Sequence, residues 1–249
     1  VMSGTENGVA KSYVYDRVRR LTGATLGTNT FAYEFGTPDV SCGSLVGNNV
    51  NASKDSNRTR LTVNGVSTSY CYDQADRLIK SSDSSIDVPS YDDRGNTISL
   101  GNASQRTTFV YDVNDRNVSI SESLAAYTGS NTTASVKANS VSYVRDVSNR
   151  VVEHTSKTNN ILKEKVSYVF TGSGDSPDVL LNASGVVIQK YVSLPGGVVL
   201  TIKPGDVTPG GKTYSVPNIH GDVMATLDGA GVLVNKHMTG PFGEVIVGN

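Results

Sequence analysis

Tyr70-Cys71-Tyr72-Asp73-Gln74-Ala75-Asp76-Arg77-Leu78 is the stretch on which the reading of this chain turns. Residues two apart on a strand share a face, so Tyr70 and Tyr72 form an aromatic pair on one side while Cys71 points to the other. Asp73 starts a turn, because its carboxylate accepts hydrogen bonds from backbone N–H groups just ahead. Arg77, Leu78 and Ile79 begin the return strand. The unit reads as strand, tight turn, strand.

The same unit recurs. Tyr13-Val14-Tyr15-Asp16 leads to Arg20-Leu21, Phe109-Val110-Tyr111-Asp112 to Asp115-Arg116, and Tyr143-Val144-Arg145-Asp146 to Asn149-Arg150-Val151. Ser90-Tyr91-Asp92-Asp93-Arg94-Gly95-Asn96 is a compressed version with a glycine turn. From Asp73 to Asp92 to Asp112 the spacings are nineteen and twenty residues. A period of about twenty residues has room for one hairpin and no helix, and each hairpin needs its neighbours to bury its apolar face.

Composition agrees. Of 249 residues only 18% are charged and 25 are glycine, with abundant Ser, Thr, Asn and Val, which favours strands and turns over helices. The net charge is −1 and no basic run interrupts the chain, so nothing points to nucleic acid. No apolar run approaches a membrane span. Asn64-Gly65 between Arg60–Val63 and Val66–Tyr72 predicts a type I′ hairpin. Phe31-Ala32-Tyr33 alternates with its aromatics on one face, residues 41–58 read as a long surface loop, and residues 122–138 as an insertion loop. Later hairpins turn at Ser184-Gly185 and at Asp228-Gly229-Ala230-Gly231. The expected organisation is 1–155 as repeat hairpins and 156–249 as a continuation with a closing segment, the whole read as a piece of something longer.

These Y-x-Y-D-x-x-x-R units resemble the YD repeats of bacterial Rhs proteins, of toxin-complex C subunits and of the teneurin shell. His220-Gly221-Asp222-Val223, Thr226 through Val234, and Pro241-Phe242-Gly243-Glu244 resemble the Rhs repeat-associated core that closes such arrays. The resemblance implies an all-β, spiralling array of antiparallel β-hairpins. It implies a shell segment, secreted or at the bacterial cell surface, that encapsulates or presents a C-terminal toxin or variable domain of the same parent chain. The alternative it implies is a teneurin-like adhesion or carbohydrate-binding module with a cell-surface protein or glycan as partner. Thr239-Gly240 stands where the family often has Tyr-Asp, and no autoproteolytic residue carries over.

The repeat residues are Tyr13, Tyr15, Asp16, Tyr70, Tyr72, Asp73, Arg77, Tyr91, Asp92, Tyr111, Asp112, Arg116, Tyr143, Asp146 and Arg150. Their role must be common to every repeat. Turn capping and Arg packing over Tyr rings meet that condition, whereas catalysis at one place does not. The expectation is therefore no enzyme, no cofactor and no metal. His220-Gly221-Asp222 reads either as an acid–base pair or as a turn in which the Asp accepts backbone N–H groups. Cys42 and Cys71, the only cysteines, form either a disulfide stapling the long loop to the back of a repeat strand or two buried free thiols. Two cysteines are too few for a structural zinc site, and His154, His220 and His237 show no metal-ligand spacing with them.

Overall fold

The computed structural model describes residues 2–6, 8–54, 56–102, 104–124, 137–244 and 246. Its regular structure is antiparallel strand, with short 3-10 turns at Val40–Cys42, Ala52–Lys54, Pro195–Gly197 and Pro209–Gly211. The fold is all-β. The chain divides into two units, residues 1–109 with 122–136 and residues 110–121 with 137–249. The division expected at 155/156 lies within the strand Val151–Thr158. Most of the insertion expected at 122–138 lies outside the described residues.

In the first unit, β1 (Met2–Glu6), β2 (Val9–Tyr15), β3 (Leu21–Leu26), β4 (Asn29–Glu34), β5 (Arg60–Val63), β6 (Val66–Tyr72) and β7 (Leu78–Ser81) form one sheet in chain order. Each strand is antiparallel to the next, so successive connections alternate between the two ends of the strands. Asn64 and Gly65 both take positive φ, 49° and 84°, and close the β5–β6 hairpin with Val63 opposite Val66. Alternation places the Asp16–Arg20 turn, residues 35–59 and the Asp73–Arg77 turn at the same end of the sheet. After β7 come β8 (Ser90–Tyr91), β9 (Thr97–Gly101) and β10 (Gln105–Tyr111), with β9 antiparallel to both its neighbours.

The core of this unit follows from period-two alternation. On β4 Phe31 and Tyr33 are buried while Asn29, Thr30, Ala32 and Glu34 are not. Ala24 lies opposite Phe31 and Leu61 opposite Tyr33 in the ladder, so all four share one face. The rings of Phe31 and Tyr33 are 6.4 Å apart. Residues 41–58 are not the plain surface loop that their Gly, Asn and Ser content predicts. Cys42 and Ala52 within them are fully buried, because the segment folds back on the sheet.

In the second unit, β11 (Asn117–Leu124) begins after the Asp112 turn and crosses the unit boundary. The strands that follow are β12 (Lys137–Arg145), β13 (Val151–Thr158), β14 (Ile161–Val169), β15 (Val179–Asn182), β16 (Val187–Ser193), β17 (Val199–Ile202), β18 (Lys212–Pro217), β19 (Val223–Asp228) and β20 (Leu233–Lys236). From β12 to β20 they pair in chain order, always antiparallel. Among the described residues of this unit, Val166 is the one apolar side chain classed as buried. The rest of the sheet is half-buried or exposed, a single layer held by ladder bonds and cross-strand pairs. Here alternation puts the Asp146–Arg150 turn and the 170–178 connection at one end.

Candidate functional site

Each repeat closes in the same five-residue turn. At Asp73 the backbone N–H donates to the Arg77 carbonyl (2.9 Å), and the Asp76 N–H donates back to the Asp73 carbonyl (3.1 Å). Asp73 Oδ1 accepts the N–H groups of Ala75 and Arg77, both at 2.9 Å, and Oδ2 accepts Arg77 Nε at 2.8 Å. The fourth residue, Asp76, takes the left-handed conformation, φ 59°. The same bonds recur at Asp16, Asp112 and Asp146 with Arg20, Arg116 and Arg150. At Asp92 the fifth residue is Asn96, whose amide replaces the guanidinium at 2.9 Å, and Gly95 takes the left-handed position.

This geometry sets the electrostatics. The Arg150 side-chain bond is the largest influence on Asp146 and holds its carboxyl below the ordinary value of 3.8. The Asn96 amide does the same for Asp92, and the Arg116 backbone N–H for Asp112. At Asp73 burial pushes the carboxyl up, but the bonds from Arg77 and Ala75 together outweigh it and leave it lowered.

The arginines also reach along the chain. The guanidinium of Arg20 lies over the Phe35 ring at 4.4 Å, that of Arg77 over Tyr91 at 5.2 Å, and that of Arg150 over Phe170 at 4.5 Å. One side chain thus closes its own turn and seats a ring from the next stretch of chain.

In the first unit residues 35–59 are strapped between two such turns. Cys42 and Cys71 are disulfide-bonded, with Cα atoms 5.5 Å apart, so the free-thiol alternative does not apply. The Asn49 N–H donates to the Tyr72 carbonyl (2.7 Å), Arg20 Nη1 to the Ser53 carbonyl (2.9 Å), and Asn57 Nδ2 to Asp76 Oδ1 (2.8 Å). Arg58 lies over Tyr33 at 5.3 Å and over Tyr70 at 5.4 Å, and its carbonyl accepts the Tyr72 hydroxyl at 2.9 Å. Cys71 alternates with Tyr70 and Tyr72, so the segment grips the sheet from both faces. Burial, the largest influence, pushes the Tyr72 phenol up to about 12.

In the second unit the 170–178 connection is tied down in a different way. Arg150 Nη1 donates to the carbonyls of Gly172 (3.2 Å) and Gly174 (3.4 Å). The Thr171 N–H and hydroxyl both donate to Asp178 Oδ2, at 2.7 and 2.6 Å. Nearby, His154 Nδ1 and the Tyr168 hydroxyl are 2.7 Å apart, and His154 Nε2 lies 3.6 Å from Glu164 Oε2. Burial, then the neighbouring Tyr191 and Glu164, push the Tyr168 phenol up, so it stays protonated at neutral pH. It is equipped to hold a hydrogen bond, not to act as a nucleophile.

No protein-family model matches the chain, and no curated protein matches it. Among solved structures it is similar to a Photorhabdus luminescens Tc holotoxin pore chain, with 14% identity, a TM-score of 0.35, and coverage of 95% of this chain but 18% of that one. A TcdB2–TccC3 crystal structure gives 14% identity and a TM-score of 0.34 over the same shares of the two chains. The chain therefore spans 18% of the length of either neighbour.

The turn residues Asp16, Asp73, Asp92, Asp112 and Asp146 share one geometry but lie at separate turns, not in one site. Of the repeat tyrosines, Tyr15 is exposed, while Tyr13, Tyr70, Tyr72, Tyr91, Tyr111 and Tyr143 are half-buried; Val14, between Tyr13 and Tyr15, is exposed. Further copies of the turn lie where no Tyr-Asp pair announces them. Asn182 accepts the N–H groups of Ser184 and Val186, Asn218 those of His220 and Asp222, and Asp228 those of Ala230 and Val232. The acceptor of the His220-Gly221-Asp222 turn is therefore Asn218, not Asp222, whose carboxylate accepts the Asn218 amide at 3.2 Å. The signal was present: an Asp or Asn followed three places on by Gly, Asn or Asp, the residues that best tolerate positive φ. Among the described residues no group of three His, Cys, Asp or Glu side chains is arranged to hold a metal.

Proposed function

We propose that this chain is wall material: a YD-repeat shell segment of an Rhs-like polymorphic toxin or large secreted or surface protein, bacterial in origin, enclosing or presenting a further domain of its parent chain. The observation that carries the reading is the single-layer sheet of the second unit, where nine strands from β12 to β20 pair in chain order with Val166 the one buried apolar side chain among the described residues. A domain that folds around its own core packs a second layer on its sheet. A wall needs no second layer, only stiff turns, and the aspartate turn supplies them. The reading is non-enzymatic, since the Asp and Arg side chains that most resemble catalytic groups are engaged in closing turns.

The test is electron cryomicroscopy of the full parent polypeptide. Continuous sheet through residues 137–244 surrounding additional chain is expected. A closed sandwich enclosing nothing would sink the wall reading. Peptide and glycoside hydrolysis assays on the same preparation are expected to be blank.

A further inference from the structure

The face of the second unit that carries Tyr143 and Tyr168 holds a concavity of about 440 Å³, wholly within that unit, bordered by the Asp146–Arg150 turn and by residues 170–178. We infer that this concavity binds a small organic cation of the quaternary ammonium class, its alkylated nitrogen against the Tyr143 and Tyr168 rings and its charge balanced from the Asp175 rim. The inference does not depend on the wall reading.

Strand register builds the aromatic wall. Tyr143 lies opposite His154, and His154 opposite Val166. Tyr168, two residues beyond Val166, therefore stands on the same face as Tyr143. Its hydroxyl is 2.7 Å from His154 Nδ1, a bond that holds the ring in place. Phe170 continues the lining, with the Arg150 guanidinium over one of its faces at 4.5 Å. The volume lies in the range of small-ligand sites, roughly 300 to 1,000 Å³.

The charges around this space sum to a negative value. Arg150 is paired with Asp146 at 2.8 Å, so the two cancel toward a ligand of either sign. Arg145 reaches to the carbonyls of Asn117 and Asn149 and adds one positive charge. Against it stand three carboxylates. Glu164 lies 3.6 Å from His154 Nε2. Asp178 is held below its ordinary range by the Thr171 bonds. Asp175 is exposed on the rim and, among the described residues, has no ion-pair partner. The sum stays negative even with His154 protonated. An anion is repelled here and a cation attracted.

The lining then selects among cations. Among the described residues no group of three His, Cys, Asp or Glu side chains is arranged for a metal ion. A primary ammonium is strongly hydrated and needs acceptors in place of that water. A quaternary ammonium has no N–H to satisfy, and the faces of aromatic rings attract it directly. Two tyrosines with an unpaired carboxylate at the rim fit that chemistry.

The test uses the intact chain at neutral pH and reads the imidazole signals of His154 by NMR. The chain has three histidines, which makes them assignable. Choline, tetramethylammonium, methylammonium, phosphocholine and inorganic phosphate are titrated singly, beside the uncharged alcohol in which a carbon replaces the choline nitrogen. Choline and tetramethylammonium are expected to shift the signals saturably, with a Kd on the order of 1 mM or tighter. The uncharged alcohol and methylammonium are expected to bind at least about tenfold more weakly. Phosphocholine is expected to bind more weakly than choline, since the carboxylates repel its phosphate, which separates a free cation from a lipid headgroup. Tyr143→Phe is expected to keep the binding and Tyr143→Leu to weaken it about tenfold. Asp175→Asn, at an exposed position, is expected to weaken it about threefold with the thermal midpoint unchanged. Should Tyr143→Leu fail to fold, choline against the uncharged alcohol on the parent chain decides. The inference is overturned if neither quaternary cation moves the signals, if the uncharged alcohol binds as tightly as choline, if Phe and Leu at position 143 bind alike, or if phosphate or phosphocholine binds more tightly than choline.

Discussion

Arg77 carries its guanidinium to within 5.2 Å of the Tyr91 ring centre while its Nε stays bonded to Asp73. A local turn and a contact between successive repeats thus share one side chain. Removing the carboxylate loosens both, and the consequences are measurable.

Asp73→Ala removes the acceptor of two backbone N–H groups and of a guanidinium. A loss of about 1–2 kcal/mol is expected, in line with deletion of a side-chain cap and of a charge-assisted bond. Asp73→Asn keeps Oδ1 and is expected to cost less than half as much, since Asn182 and Asn218 close the same turn without a charge. Urea unfolding of the two variants decides it; equal losses would show that the charge, not the acceptor geometry, holds the turn.

Acid is expected to lower the stability of the chain through these carboxylates. Asp16, Asp73, Asp92, Asp112 and Asp146 all lie below the ordinary 3.8 when folded. A lowered folded value means the unfolded chain binds protons first as pH falls. Their stabilisation is complete above 3.8 by an ample margin and is lost as pH drops through the folded values. The urea midpoint, followed from pH 7 to pH 2, is expected to stay flat until about pH 5 and then fall. The aspartate contribution is absent if the Asp146→Asn variant shows the same fall as the parent.

Reduction of the Cys42–Cys71 bond frees residues 35–59 from the back of β6. With the cysteines 29 positions apart, the chain-entropy account gives a loss of about 3–4 kcal/mol for the first unit. Hydrogen exchange before and after reductant is expected to show faster exchange at the Asn49 and Cys42 amides and no change at β13 and β14. Uniform acceleration across both units would contradict this.

Alkali acts through Tyr72. Its phenol is raised from 10.0 to about 12, so the folded state holds the proton that the unfolded state releases first. The stabilisation is whole below pH 10 and disappears between 10 and about 12. Tyr72→Phe is expected to remove part of this alkaline loss and, by deleting the 2.9 Å bond to the Arg58 carbonyl, to cost about 1 kcal/mol at neutral pH. Unfolding curves at pH 7 and pH 11 for both proteins check the two effects together.

The strands and their turns were legible in the sequence because their causes are local. Alternation on Phe31-Ala32-Tyr33 and the reach of Asp73 to Ala75 and Arg77 involve residues at most four apart, and each acts on its own neighbours wherever the chain runs. At 218–222 the sequence does not distinguish Asn218 from Asp222 as the acceptor, because both residues carry acceptors and only the backbone path selects between them.

The amino-acid order alone determined an all-β chain of hairpins and the residues that bend it, since side-chain alternation and left-handed turn positions need no distant partner. Only the tertiary structure decided that residues 35–59 pack onto the sheet, that Arg150 seats Phe170, and that His154 holds Tyr168. Those contacts depend on strand register and on which connections fall at the same end of a sheet. Both are settled by pairing across the sheet, so no short window of sequence contains them.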